Sequence, residues 1–389
     1  MRRHLIPAAL SIFLFLPACA PPMADGQAAE SLRERAERLH SEVPLVDGHN
    51  DLPHQLLNRV EGDLDRLDIA EPQPELHTDI DRLRRSGLGA QFWAAYVANE
   101  YYHEGTSAQR AMRMIDVIRR FTERYDLLEM VYTADDIERV HGEGRIGSLI
   151  GIEGGHAIEN ELAALRLYYD LGARYMGLTH NVSLPWVGAA VDEGEGIGLS
   201  PFGQEVVREM NRLGMLVDLS HVSSASMRDV LRVAEAPVIF SHSSARALTP
   251  HDRNVPDDIL RQLPENGGLV MVTFVPAFVQ QNGRATLADV ADHIEHVRDV
   301  AGIDHVGIGS DFDGITEVPV GLEDVTTFYN LTMELLERGW SDEEIRQLLG
   351  LNFLRVLREA EAVAERLQAE RQPSVVRLEE VQGTVGGRR

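Results

Sequence analysis

Lysine is missing altogether: of 389 residues, 37 are basic and every one of them is arginine. That excludes imine chemistry, which needs a primary amine, and it excludes a carboxylated lysine as a bridge between metal ions. Cysteine is nearly missing as well. Cys19 stands alone, so no disulfide can close within this chain. Positive charge is in deficit, with a formal net charge of −25, which argues against the basic face that nucleic-acid phosphates demand. No GxGxxG, and no GxxxxGK followed by Ser or Thr, comes after any β-like run, so nucleotide binding has no support. Internal repeats and low-complexity blocks are missing too. The longest apolar stretch, Leu5 to Leu16, falls short of the about 20 residues that a membrane span needs.

What is present near the N-terminus reads as an export signal. Arg2 and Arg3 precede that apolar stretch, and small residues follow at Ala18 and Ala20. Leu16-Pro17-Ala18-Cys19 resembles a bacterial lipobox, in which Cys19 is lipidated and anchors the mature protein to the cell envelope. Pro17 is unusual there, so plain cleavage after Ala20 into the periplasm stays open. The resulting division is a leader over 1–20, a tether and leading helix over 21–40, one domain over 41–370 and a flexible tail over 371–389. That tail has no terminal hydrophobic stretch of the kind a GPI signal uses.

From residue 41 onward, β-like runs alternate with amphipathic stretches. The runs are VPLVDGH (43–49), AQFWAAYV (90–97), RIGSLIGIEGG (145–155) and ARYMGLTH (173–180). MLVDLSH (215–221), PVIFSHS (237–243), GLVMVTFV (268–275) and HVGIGSDFDG (305–314) follow. Helical periodicity lies between them, at 107–125, 158–171, 202–213, 223–234 and 287–301, and again at 341–349 and 352–369. Such alternation implies parallel strands with helical crossovers, and eight strands suffice for a (β/α)8 TIM barrel; an open doubly wound sheet is the fallback. The insert between the second and third runs holds one long helix and room for a shorter one.

The chemistry collects at the ends of those runs. His49 and Asp51 follow the first, Glu153 ends the third and His180 the fourth. His221 ends the fifth, His242 the sixth and Asp311 the eighth. In a (β/α)8 barrel the C-terminal strand ends share one mouth, where the active site lies. Each residue alone has a plain explanation: Glu153 as a helix cap, Asp311 and Asp313 in an Asx turn, a histidine as a core residue. Together they would be costly as filler, because buried charges need partners or a metal. Three histidines (His49, His221, His242) and two carboxylates (Asp51, Glu153) exceed what one zinc ion takes. Two ions fit if a carboxylate bridges them, and Glu153 lies between the two ligand groups. His49 and Asp51 then serve one ion, His221 and His242 the other. Mixed imidazole and carboxylate ligation suits zinc, with manganese, cobalt and iron left open. Two ions about 3.5–4 Å apart would share a hydroxide available at neutral pH.

At these residues the chain resembles the membrane (renal) dipeptidase family, within the amidohydrolase-like barrels. The matching stretches are DGHNDLP (47–53), IEGGHAIE (152–159), LTHN (178–181), DLSH (218–221), FSHSSAR (240–246), RNVPDD (253–258) and GIGSDFDG (307–314). They span nearly the whole barrel in order. The resemblance implies that His49, Asp51, Glu153, His221 and His242 are the metal ligands, with Glu153 bridging two Zn2+. It implies that Asp311 is the catalytic acid/base and that His180 contacts the substrate and polarises the scissile carbonyl. It implies that Arg253 binds the terminal carboxylate, a role that suits a fork-shaped guanidinium; a surface arginine paired with Asp252 or Asp257 is the plain alternative.

The expected activity is hydrolysis of dipeptides by a hydroxide held between the two ions. Another amide or ester, such as an N-acyl amino acid or a lactone, is the nearest rival, and a catalytically dead binding lipoprotein the more distant one. Mammalian members carry disulfides and a GPI anchor, features this sequence lacks. The segment VPAFVQQNG (275–283) is expected to line the substrate side-chain pocket. A homodimer is compatible with the family, although no dimer face is legible.

Overall fold

Eight strands in the computed structural model, which describes residues 30–192 and 196–382, are fully buried or nearly so and all run parallel. They are β1 (Leu45–Asn50), β2 (Leu88–Tyr96), β3 (Ile146–Glu153), β4 (Ala173–Gly177), β5 (Leu216–Asp218), β6 (Ile239–Ser243), β7 (Leu269–Val272) and β8 (Val306–Ile308). Each pairs with the next in sequence, and β1 pairs with β8, so the sheet closes on itself. Strands buried on both faces read as nearly continuous apolar runs, as LVMV in β7 and IGSLIGI in β3 do. The fold is the (β/α)8 TIM barrel expected from the alternation. A ninth short strand, Leu128–Met130, lies in the insert after β2 and pairs with the first residues of β3.

Two apolar layers hold the barrel. Inside, Val46, Phe92, Leu149, Tyr175, Leu216 and Ile239 form a cluster distinct from the larger one between strands and helices. Phe353 and Leu357 of the helix Asn352–Glu370 join that inner cluster and cover one end of the barrel, with Phe353 edge-on to Phe92. At roughly 1.5–3 kcal/mol for each large apolar side chain removed from water, this filled interior is a stability element and not a pore.

Several boundaries differ from the expected ones. The helix expected over 158–171 begins later: Gly155–Ile158 is a 3-10 turn, Glu159 and Asn160 take positive φ (48° and 62°), and the α-helix is Leu162–Asp170. The helices expected at 341–349 and 352–369 are one continuous run, in which Asp342–Arg346 passes through a π turn at Gln347–Leu351 into Asn352–Glu370. Gly350 in that turn backs onto the Pro44 carbonyl, leaving no room for a side chain. The insert after β2 holds three helices, Asn99–Glu104, Ser107–Arg124 and Ala134–Gly142. In the segment reckoned as tail, Ser374 bonds to Glu205 and Glu209 of the helix Pro201–Leu213, and Leu378–Gln382 is a short helix. The export leader and Cys19 lie outside the described residues.

Candidate active site

Glu153 is the last residue of β3, and its carboxylate is the hub of the barrel mouth. Its Oε2 lies 3.4 Å from His49 Nε2, while Oε1 lies 3.1 Å from His221 Nε2, 3.7 Å from His242 Nε2 and 3.9 Å from His180 Nε2. Asp51 Oδ2 is 3.2 Å from His49 Nε2. Three overlapping groups have donor atoms close enough to share an ion: His49, Glu153 and His242; Glu153, His180 and His221; and His49, Asp51 and Asp311. The structure therefore brings all seven expected side chains together, and Glu153 and His49 are the members that the groups share.

The route by which each side chain arrives is less regular than the sequence suggested. His49, Glu153 and His242 lie within strands and point into the site from there; His180, His221 and Asp311 each sit three residues beyond the last strand residue. The register of β1 against β2 breaks between Asp47 and Asn50, around His49, and that of β6 against β7 breaks between Phe240 and Ser243, around His242. Such irregularities re-aim a side chain that strict alternation would send to the other face. His221 and Asp311 hold positive φ, 69° and 67°, an unfavourable conformation for residues with a side chain and one that concentrates at functional sites.

Hydrogen bonds behind the histidines decide which nitrogen faces the mouth. His49 Nδ1 lies 2.9 Å from the Tyr175 hydroxyl, which itself donates to the Gly48 carbonyl and so accepts from Nδ1–H. His242 Nδ1 lies 2.8 Å from Ser241 Oγ, which donates to Asp218 Oδ2. His221 Nδ1–H donates to Asn181 Oδ1 at 2.9 Å. With Nδ1 protonated in all three, each ring in its neutral form turns an Nε2 lone pair toward Glu153. Nε2 of His221 and Nε2 of His242 lie 3.0 Å apart, two lone pairs in contact, and the buried Nε2 of His49 has no hydrogen-bond partner. A cation relieves both strains, so the donor set fits divalent metal ions on its own chemistry. These outer partners (Tyr175, Asn181, Asp218 and Ser241) were not singled out from sequence; Asn181 and Asp218 stand in the motifs LTHN and DLSH, whereas nothing local marks Tyr175.

The electrostatics lean the same way. Burial pulls the His49 imidazole down, but the field of Tyr175, Glu153 and Asp51 outweighs it and holds its basicity well above an ordinary histidine. Burial pushes Glu153 up, yet His49, His221 and His180 hold it well below the usual carboxylate range. The field that draws a proton to His49 would equally draw a metal ion. His221 and His242 are held down by burial first, then by neighbouring positive groups, and stay neutral as ligands must be. Burial also brings His180 down to about 4.

Asp311 differs from the other carboxylates. Burial pushes it well above the usual range, and Asp51 and Glu153 add to this against the opposing His49 and Arg253. A carboxyl so placed takes up a proton more readily than an ordinary aspartate, which suits an acid/base. Gly314 stands where any side chain would overlap both the Asp51 and the Asp311 carboxylates, so glycine there gives the two room. Arg253 is 2% exposed and makes only long contacts, to Ser243 Oγ at 3.4 Å and the His242 carbonyl at 3.5 Å, with its guanidinium 5.2 Å from the Phe278 ring centre. It is not a surface arginine, and it forms no ion pair with Asp252 or Asp257 among the described residues. Burial lowers it to about 10, which leaves it charged. Phe278 belongs to the 275–283 segment expected to shape the pocket.

Tyr96 is a further member that sequence reasoning missed. It ends β2 directly beside Glu153 in the register, and its ring lies edge-on between His54 and His180, 4.9 Å from each. Its alternation with Phe92 and Ala94 was the available signal, since that parity points the last residue into the mouth.

The model for the membrane dipeptidase family, peptidase family M19, matches residues 33–371. Among solved structures, a metallo peptidase from Rhodobacter sphaeroides, liganded with a phosphinate mimic of the dipeptide L-Ala-D-Ala, is 28% identical. The alignment covers 82% of this chain and 99% of that one, with a TM-score of 0.74. A dipeptidase described as a metallo peptidase of family M19 is also 28% identical over 82% of this chain and 98% of its own, with a TM-score of 0.75. A probable dipeptidase from Pseudomonas aeruginosa, 22% identical over 86% and 99% of the two chains, shares the fold at a TM-score of 0.78.

Proposed function

The chain belongs to the membrane dipeptidase family, peptidase family M19, a family of metal-dependent dipeptidases, and from that premise we propose that it hydrolyses free dipeptides using two divalent ions, with zinc the best fit. The observation that carries the reading is the convergence of three imidazole Nε2 lone pairs on one shared carboxylate, Glu153, with Asp51 against His49 and the buried guanidinium of Arg253 in the field of Glu153. His49 and Asp51 would hold one ion, His221 and His242 the other, and Glu153 both. The ions, when bound, supply Lewis-acid polarisation of the peptide carbonyl and water of lowered pKa.

The chain's own residues do the rest. Arg253 takes the substrate's terminal carboxylate in a water-poor pocket, where a charge-assisted pair is strong and where a longer chain would have no space to continue. Asp311 accepts the proton of the attacking water and returns it to the departing amine, a general base and then a general acid. His180 donates from Nε2 to the carbonyl oxygen as negative charge develops there. That donation requires Asn99, 3.3 Å from His180 Nδ1, to present its amide NH2 to the ring.

Hydrolysis of a small panel by the purified protein tests this, with bound metal measured and a chelator as control. The panel pairs L-Ala-L-Ala with L-Ala-D-Ala, the ligand type mimicked in the R. sphaeroides relative, and adds an amidated dipeptide and an N-acetyl amino acid. The expected result is chelator-sensitive cleavage of free dipeptides alone, with about two ions per chain. Two bound ions without dipeptide cleavage would move the substrate to another amide or ester.

A further inference from the structure

Among the described residues three arginines are buried: Arg110, Arg212 and Arg253. Arg212 has its counter-ion, Glu209, at 2.9 Å on both Nε and Nη2. Arg253 has none and is the proposed clamp for the substrate carboxylate. Arg110 has none either. It stands on the helix Ser107–Arg124 with 6% of its surface exposed, donates from Nη2 to Asn58 Oδ1 at 2.5 Å, and lies 5.1 Å over the Tyr101 ring. Its Nε is buried without a hydrogen-bond partner, and so are the hydroxyls of Thr106 and Ser107, one turn earlier on the same helix. Glu61 pairs instead with Arg113 at 2.6 Å, and among the described residues no carboxylate comes within ion-pair distance of Arg110, on which Glu61 and Glu100 act only from farther off. A buried cation without an anion in contact is costly, and a ligand that supplies one would offset that cost.

The position says which part of a ligand would do so. Asn58, which holds Arg110, also bonds to His54 at 2.9 Å; the His54 ring meets Tyr96, and Tyr96 meets His180. Arg110 therefore lies outward from the reaction centre on the side of β1 and β2, whereas Arg253 contacts residues at the end of β6. A dipeptide with its carboxylate on Arg253 and its scissile bond at Glu153 directs its N-terminal residue toward Tyr96, His54 and Asn58. We propose that Arg110 anchors a subsite for an acidic side chain, so that the enzyme favours dipeptides with aspartate or glutamate at the N-terminal position. This rests on the dipeptidase reading given above.

The test compares kcat/KM for L-Glu-Ala, L-Gln-Ala and L-Ala-Ala with the metal-loaded full chain, using whichever stereoisomer of the C-terminal alanine is cleaved. Glutamate and glutamine differ in charge and hardly in shape, so the Glu/Gln ratio reads the subsite alone. A ratio of about ten or more is expected for the wild type. Arg110→Gln should bring it to about one, and Arg110→Lys should keep part of it. Asn58→Asp, at an exposed position, installs a carboxylate beside Arg110 and should also collapse the ratio, which carries the test should Arg110→Gln fail to fold. A wild-type ratio near or below one, or a ratio that Asn58→Asp and the folded Arg110 variants leave unchanged, overturns the subsite while L-Ala-Ala cleavage leaves the dipeptidase intact. Absence of cleavage of all three substrates overturns the parent reading and the subsite with it.

Discussion

Asp311 pairs a conformation most residues avoid with a carboxyl that burial and two neighbouring carboxylates hold well above the usual range. Holding an aspartate at φ 67° costs on the order of 1–3 kcal/mol, which the surrounding structure must impose. Asparagine tolerates the same backbone region, so Asp311→Asn changes the chemistry without a new steric or backbone penalty. The expected outcome is a folded protein that keeps its metal ions and loses roughly 10²–10⁴-fold in kcat, the range general acid–base catalysis supplies. Metal content and turnover, measured together, check this. Near-full activity would remove Asp311 from the proton path, and loss of metal would make it a ligand instead.

At the scale of strands and helices, the barrel was legible because eight apolar runs alternated with helical periodicity, and the chemistry because His, Asp and Glu fell at the ends of those runs. The aim of those side chains was not legible. His49 and His242 reach the mouth through breaks in strand register, and His221 and Asp311 through left-handed residues beyond the strands, neither of which leaves a periodic signal. The support behind His49 was hidden for another reason: Tyr175 reads as one more apolar position in β4. Gly151, on the neighbouring strand, is what makes room for it, since a Cβ there would overlap the Tyr175 ring. That ring is fully buried and packed against Phe92 at 4.7 Å, so it cannot yield toward solvent. Gly151→Ala should therefore cost about 1–3 kcal/mol as overpacking. It should also push the Tyr175 hydroxyl off His49 Nδ1 and weaken metal binding by roughly 10–100-fold, as loss of an outer partner does. Competition with a chelator of known affinity, alongside a thermal melt, reads both. Unchanged metal affinity would mean that Tyr175 does not orient His49.

For the molecule as a whole, all cations are arginines apart from the histidines, and two histidines outside the candidate metal site tie distant elements together while buried. His40, in the helix Leu32–Glu42, lies 3.2 Å from the Gly87 carbonyl and 2.8 Å from Thr332 Oγ1 of the helix Phe328–Glu337, with Tyr329 stacked at 4.4 Å. His293 lies within hydrogen-bond distance of the Ala245 amide and the Val279 carbonyl. Burial brings both down to about 4; Arg33 and His141 add to this at His40, and His296 does at His293. A histidine whose folded value lies below its unfolded one of 6.5 binds more protons when unfolded, so stability falls as pH drops from 6.5 toward 4 and does not fall further on its account below that. Each should withdraw about 3 kcal/mol across that window, since every pH unit between the two values is worth about 1.4 kcal/mol. His40→Gln keeps an amide donor for the Gly87 carbonyl but cannot titrate. Urea unfolding from pH 7 to pH 4 should then show the variant less stable than the wild type at pH 7, with the gap closing or reversing by pH 4. The wild-type-minus-variant difference removes the common contributions of the carboxylates and of metal release. Parallel curves would mean that His40 is already protonated in the folded protein, or that the N-terminal helix detaches before it titrates.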